Sequence, residues 1–97
     1  MRLQIKKSST ANIIDLIRRC GYSYRGRQGE EIIFVRRAGL SEYPRFHIYL
    51  KEESDGFILN LHLDQKRASY AGSRAHSGEH EGELIEKEAE RVKGIIL

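Results

Sequence analysis

The stretch from Arg45 to Asp64, R-F-H-I-Y-L-K-E-E-S-D-G-F-I-L-N-L-H-L-D, constrains the fold more than any other part of the chain. Phe46, Ile48 and Leu50 alternate with Arg45, His47, Tyr49 and Lys51; after Ser54-Asp55-Gly56, the apolar residues Phe57, Leu59, Leu61 and Leu63 alternate with Ile58, Asn60, His62 and Asp64. A period of two is the mark of a strand with one buried face. The Asp-Gly pair suits the turn, because Asp bonds nearby backbone and Gly adopts positive φ without strain. With Lys51 opposite Gly56, Leu50 meets Phe57, Ile48 meets Leu59 and Phe46 meets Leu61. His47 then faces Asn60 and Arg45 faces His62. A slip of one residue would expose every apolar side chain, so the two faces are strongly specified.

The flanking segments fill out the architecture. Leu3 and Ile5 alternate with Arg2, Gln4 and Lys6, which suits a short edge strand or an arm. From an N-cap at Ser9 or Thr10, Ile13, Leu16, Ile17 and Cys20 recur on one helical stripe with Ile14 beside them, and Gly21 is the expected stop. This predicts a helix over residues 10–20. Tyr22 to Arg27 reads as extended, Gln28-Gly29 as a tight turn, and Glu31 to Arg37 as a strand whose run Ile32-Ile33-Phe34-Val35 fits a sheet covered on both faces or a twisted edge. Pro44, the only proline, belongs at the start of a strand. Residues 65–81 carry no periodicity and form a long loop. A last helix begins at Gly82, with Leu84, Ile85, Ala89, Val92 and Ile96 on its buried side and Glu83 pairing with Lys87; Gly94 is expected to end it, leaving Ile95-Ile96-Leu97 as an apolar tail. The prediction is a single α+β domain over residues 1–97, a two-layer sandwich. An antiparallel sheet of three to four strands carries an N-terminal and a C-terminal helix on one face.

Charge is unevenly spread. Residues 1–45 hold ten Lys and Arg against four acids, a balance of +6, and the remainder balances to −3. A basic half favours a polyanionic partner. Arg18, Arg19, Tyr22, Tyr24, Arg25, Gly26, Arg27, Arg36 and Arg37 supply guanidinium forks for phosphates, π faces for bases, and a glycine that lets backbone approach closely. Together with Arg45 and Asn60, these arginines are the candidate nucleic-acid contacts.

Three kinds of chemistry compete for the histidines. On the solvent face of the hairpin, His47, His62, Arg45 and Tyr49 could bind phosphate and move protons near neutral pH, enough for metal-free phosphodiester cleavage. The segment His76-Ser-Gly-Glu-His80-Glu81, with His62 and Asp64 upstream, contains zinc-competent ligands, so His62, His76 and His80 are candidates for a zinc-dependent hydrolase. The i,i+4 spacing of His76 and His80 spans Gly78 ahead of the helix, and no spacing rule fixes their geometry. The plainer reading is a polar sheet face whose histidines pair across strands. No other cofactor is implied.

Two function classes follow from the residues. One is a small RNA- or nucleic-acid-binding domain. The other is a structural or protein-interaction module, in which the C-terminal helix and tail meet a protein partner or a second copy. Hydrophobic residues make up 39% of the chain and charged residues 32%, and no apolar run reaches the roughly 20 residues of a membrane helix. With no apolar core of signal-peptide length near the N-terminus, a cytoplasmic location is expected. The single cysteine excludes an intramolecular disulfide, and Cys20 at the end of an amphipathic helix reads as a small buried hydrophobe.

From Leu16 to Arg37 the order of helix, R-R-C-G-Y, basic hairpin and E-E-I-I-F-V-R resembles the first half of the small HicA-type messenger-RNA interferases. Their fold is similar to a double-stranded-RNA-binding domain. The resemblance implies a dsRBD-like fold and RNA as partner. The family places its catalytic histidine in a G-S-H-type motif after the hairpin turn, where this chain has Gly29-Glu30-Glu31. The later half, N-L-H-L-D-Q-K-R-A-S-Y and A-H-S-G-E-H-E-G-E-L-I-E-K-E-A-E-R, is similar to short microbial proteins of unassigned function.

Overall fold

The computed structural model describes residues 1–6, 12–65 and 82–96. Seven elements follow one another: β1 (Arg2–Lys6), α1 (Ile13–Arg19), β2 (Ser23–Gln28), β3 (Glu31–Arg37), β4 (Arg45–Glu53), β5 (Gly56–Asp64) and α2 (Glu83–Ile96). The α+β class is as expected. The sheet has five strands rather than three or four, because β1 is a full edge strand, and their order is β1-β5-β4-β3-β2 with every neighbour antiparallel.

The β4–β5 hairpin forms with the predicted faces but a different register. Glu53 pairs with Gly56, Leu50 with Leu59, Ile48 with Leu61 and Phe46 with Leu63, so the turn is Ser54-Asp55 and both strands run further than expected. His47 consequently faces His62, Tyr49 faces Asn60 and Arg45 faces Asp64, which corrects the predicted His47–Asn60 and Arg45–His62 pairs. A shift of two leaves every side chain on its own face. Gly56 therefore has another purpose than positive φ. It lies against β1, where a Cβ would collide with the Ile5 carbonyl oxygen and come within 2.9 Å of the Lys6 Cα.

The β2–β3 turn is Gly29-Glu30, one residue later than predicted, with Gly29 at φ 62°. Within β2 the register slips between Tyr24 and Gly26, so Arg25 is the extra residue of a bulge.

Both helices cover one face of the sheet. Ile13, Ile17 and Cys20 from α1 and Ile85, Ala89 and Val92 from α2 pack with Leu3, Ile5, Phe34, Phe46, Ile48, Leu50, Leu59, Leu61 and Leu63. Cys20 is buried as expected, and its burial pushes the thiol pKa up. The cap of α1 is Asn12, whose side chain accepts from the Ile14 and Asp15 amides at 2.9 and 3.4 Å; the predicted caps Ser9 and Thr10 lie outside the described residues. At the other end of α1, Gly21 (φ 98°) donates to the Arg18 carbonyl.

Two expectations for α2 are corrected. The helix runs through Gly94 to Ile96, so Ile95 is on a helix rather than in a tail; Leu84, expected inside, is 46% exposed. Its place in the interior is taken by Glu88, which is 5% exposed. Glu88 accepts from Tyr22 Oη at 2.6 Å and from Arg91 Nε and Nη2 at 2.8 and 2.9 Å, and Arg36 Nη1 lies 3.5 Å away. Arg91 Nη2 also donates to the Cys20 carbonyl at 2.6 Å. This cluster fastens α2 to the end of α1 and the start of β2. The Glu83–Lys87 pair forms as predicted.

No helix among the described residues is long and apolar enough to cross a membrane.

Candidate nucleic-acid interface

The face of the sheet away from the helices is polar but not uniformly wet. Strand alternation and pairing place on it Ser23 of β2; Glu31, Ile33, Val35 and Arg37 of β3; Arg45, His47, Tyr49 and Lys51 of β4; Ile58, Asn60, His62 and Asp64 of β5; and Arg2 and Gln4 of β1. Val35 and Ile58 are 7% and 8% exposed. They explain the doubly apolar run of β3: Phe34 enters the core and Val35 forms a floor on the opposite side.

On this floor stand the two histidines. His47 and His62 are direct cross-strand partners, and Tyr49 lies beside both, its ring 6.0 Å from His47 in a stacked arrangement and 5.2 Å from His62 edge-on. His47 Nδ1 is 2.5 Å from Asp64 Oδ2, a diagonal contact across the strand pair. The His47 pKa is lowered: burial of the ring is the main cause, Asp64 opposes it, and Arg45 and Arg25 add to it. Burial and the two guanidiniums outweigh one carboxylate. His47 is thus neutral at neutral pH, with Nδ1–H donating to Asp64 and the ring's lone pair on Nε2. Burial also raises the Tyr49 pKa, helped by Asp64 and Glu31, so the phenol stays protonated.

The arginines divide among three places. Arg25, Arg37 and Arg45 gather at one end of the histidine face. Arg37 and Arg45 are directly opposite each other, a like-charge pairing that destabilises a sheet unless an anion or solvent separates the charges. Arg45 stacks 4.6 Å above the Tyr43 ring, and its Nε is buried without a hydrogen-bond partner. Asp64, its cross-strand neighbour, contacts His47 instead. Arg18 and Arg27 line a groove of about 550 Å³ between α1 and β2, with Tyr22, Tyr24 and Ile32. Arg19 is exposed on the last turn of α1, away from this face. Arg36 is turned to the helix side by Glu88.

Of the residues singled out from sequence, Arg45, His47, Tyr49, Asn60 and His62 are therefore brought together, with Arg25 and Arg37 adjoining. His76 and His80 lie outside the described residues, as does most of the predicted loop over residues 65–81. Among the described residues no group of three or more His, Cys, Asp or Glu is placed to hold a metal ion. Asp64 was linked in the sequence only to a zinc reading; its role beside His47 follows from the two-residue turn, which brings Asp64 opposite Arg45 and one step diagonal to His47.

No family model matches the chain, and neither the curated proteins nor the solved structures contain a match.

Proposed function

We propose that this domain binds RNA through the open face of its sheet. The observation that carries the reading is the Arg37–Arg45 pairing: two arginines directly opposite in the β3–β4 register, with Arg45 Nε buried and without a hydrogen-bond partner among the described residues, beside the exposed Arg25 and a row of aromatic rings. A phosphate placed between the two arginines would relieve their repulsion and bond both forks. Tyr49, His47 and His62 offer ring edges and faces for unstacked bases, and Asn60, opposite Tyr49, can both donate to and accept from base edges. The surface is a sheet face rather than a deep cavity, which fits an extended polymer better than a small molecule. The resemblance to the HicA-type interferases points to the same partner; at the position of their catalytic motif, Gly29-Glu30 forms the β2–β3 turn and Glu31 lies on the open face opposite Lys51.

The test is affinity for short single- and double-stranded RNA measured against salt concentration. Binding through phosphates must weaken steeply as salt rises. Absence of binding to either RNA at low salt removes the reading.

The competing proposal is a protein-interaction module using α2. Leu84 and Ile95 are 46% and 40% exposed, and eleven residues put them on the same side of the helix. They are separated by about 16 Å along the axis, with Glu88 and Arg91 between them, so they do not merge into one apolar patch. Sedimentation over a concentration range decides it. A monomer at all concentrations removes self-association through α2.

A further inference from the structure

We infer that His47, held by Asp64, and His62 form an acid–base pair that cleaves the bound RNA without a metal. This inference rests on the RNA-binding reading of the same face. Its starting point is geometric: the Asp64 contact occupies Nδ1 of His47 and leaves Nε2 as the lone pair, while His62 stands directly across the strand pair on the same face. Neighbouring Cβ atoms at such a position are about 5 Å apart. A phosphodiester lying over Tyr49 would have one imidazole on each side and the guanidiniums of Arg45 and Arg25 at its oxygens.

The chemistry that these groups can complete alone is transesterification by a ribose 2′-hydroxyl. Nε2 of His47 takes the 2′-hydroxyl proton as the O2′–P bond forms. The P–O5′ bond breaks with its electron pair passing to O5′, and the imidazolium of His62 gives O5′ a proton. The products are a 2′,3′-cyclic phosphate and a free 5′-hydroxyl. No water or external reductant enters the step, and exchange with solvent returns each imidazole to its starting state. Arginine on the equatorial oxygens stabilises the charge that grows in the transition state.

Burial lowers the His47 pKa, Asp64 of β5 opposes it, and Arg45 of β4 and Arg25 of β2 add to it; His62 of β5, Tyr49 of β4 and Arg37 of β3 stand on the same face. Only Asp64 among these favours the imidazolium. Asp64 is a positioning residue, and its removal carries a signature that a purely structural role would not produce.

The experiment uses the full chain, EDTA, and a fluorescent DNA oligonucleotide carrying one ribonucleotide, with binding followed in the same samples on an oligonucleotide that is 2′-O-methylated throughout. Cleavage at the ribonucleotide, a cyclic-phosphate end seen by mass spectrometry and a bell-shaped pH profile are expected. H47A and H62A should each lose about 100-fold or more in rate, a loss larger than any they show in affinity for the methylated oligonucleotide; H47Q and H62Q replace them if the alanine variants do not fold. D64N should cut faster cleavage to a slower rate and move the acid limb of the profile to lower pH, since Asp64 raises the His47 pKa. Bound oligonucleotide that is never cleaved overturns the inference and leaves RNA binding standing. Cleavage that survives in H47A and H62A, or that appears only when EDTA is replaced by a divalent metal, also overturns it. No binding at all removes the RNA reading and this inference with it.

Discussion

Glu88 shows how one residue can escape a pattern while obeying it. Its position fits the stripe Ile85, Ala89, Val92 at helical spacing, yet a glutamate there reads as a solvent-facing residue, because lone charges are seldom buried. What makes the burial tolerable is its partners: Tyr22 after α1, Arg36 on β3 and Arg91 one turn further along α2 itself. The Tyr22 pKa is pushed far above its ordinary value by burial and by Glu88, so its hydroxyl always donates. Y22F should therefore cost about 1.5–3 kcal/mol, the worth of a hydrogen bond to a charged group, read as a lower urea midpoint at unchanged slope. E88Q should cost more than Y22F, because it leaves two guanidiniums facing a neutral amide. His47 makes a pH prediction. Its folded pKa lies below the unfolded value of 6.5, so the unfolded chain binds more protons as pH falls through that window. Stability should decline from about pH 6.5 downward until the folded pKa is passed, and then flatten with respect to this group. H47Q should remove that part of the decline in thermal melts across pH.

At the scale of elements, faces were legible and partners were not. Alternation has a period of two, so it assigned Phe46, Ile48 and Leu50 to the core and His47 and Tyr49 to the other side, but it cannot see a shift of two residues. Only the turn could reveal that shift: Lys51 opposite Gly56 implies a four-residue loop from Glu52 to Asp55, where the structure has the two-residue turn Ser54-Asp55. The bounds of β3 were readable from its β-branched and aromatic run; the end of α2 was not, since an exposed Gly94 costs a helix only about 1 kcal/mol and the contacts of Val92 and Ile96 outweigh it. The His47–Asp64 contact was hidden for the same reason as the register. Gly56 tests the revised account. G56A should destabilise by about 1–3 kcal/mol through overpacking, with the loss of hydrogen-exchange protection concentrated in the β1 amides. An effect confined to the Ser54-Asp55 turn would contradict it.

For the whole molecule, the charge asymmetry of the sequence becomes an asymmetry of surfaces. Arg25, Arg37 and Arg45 of the basic half sit at one end of the open face, and the acids of α2 lie in the helical layer on the other side of the sheet. Replacing the exposed Arg25 and Arg37 together by Ala should reduce the slope of log affinity against log salt by about 1.4, at roughly 0.7 for each phosphate contact to a single strand. A slope that does not change would mean that RNA is held elsewhere. The sheet order also has a consequence in time. Strands β2 to β5 are joined in sequence as a meander, and each can zip onto the one before it; β1, the first strand made, must wait until β5 exists, because Leu3 pairs with Leu59. Closing that long loop is an entropic cost met most easily once the meander has already collapsed. The birth order of the strands is thus the reverse of their docking order at this edge, so G56A should hasten unfolding and leave the refolding rate nearly untouched, as befits a contact formed after the barrier.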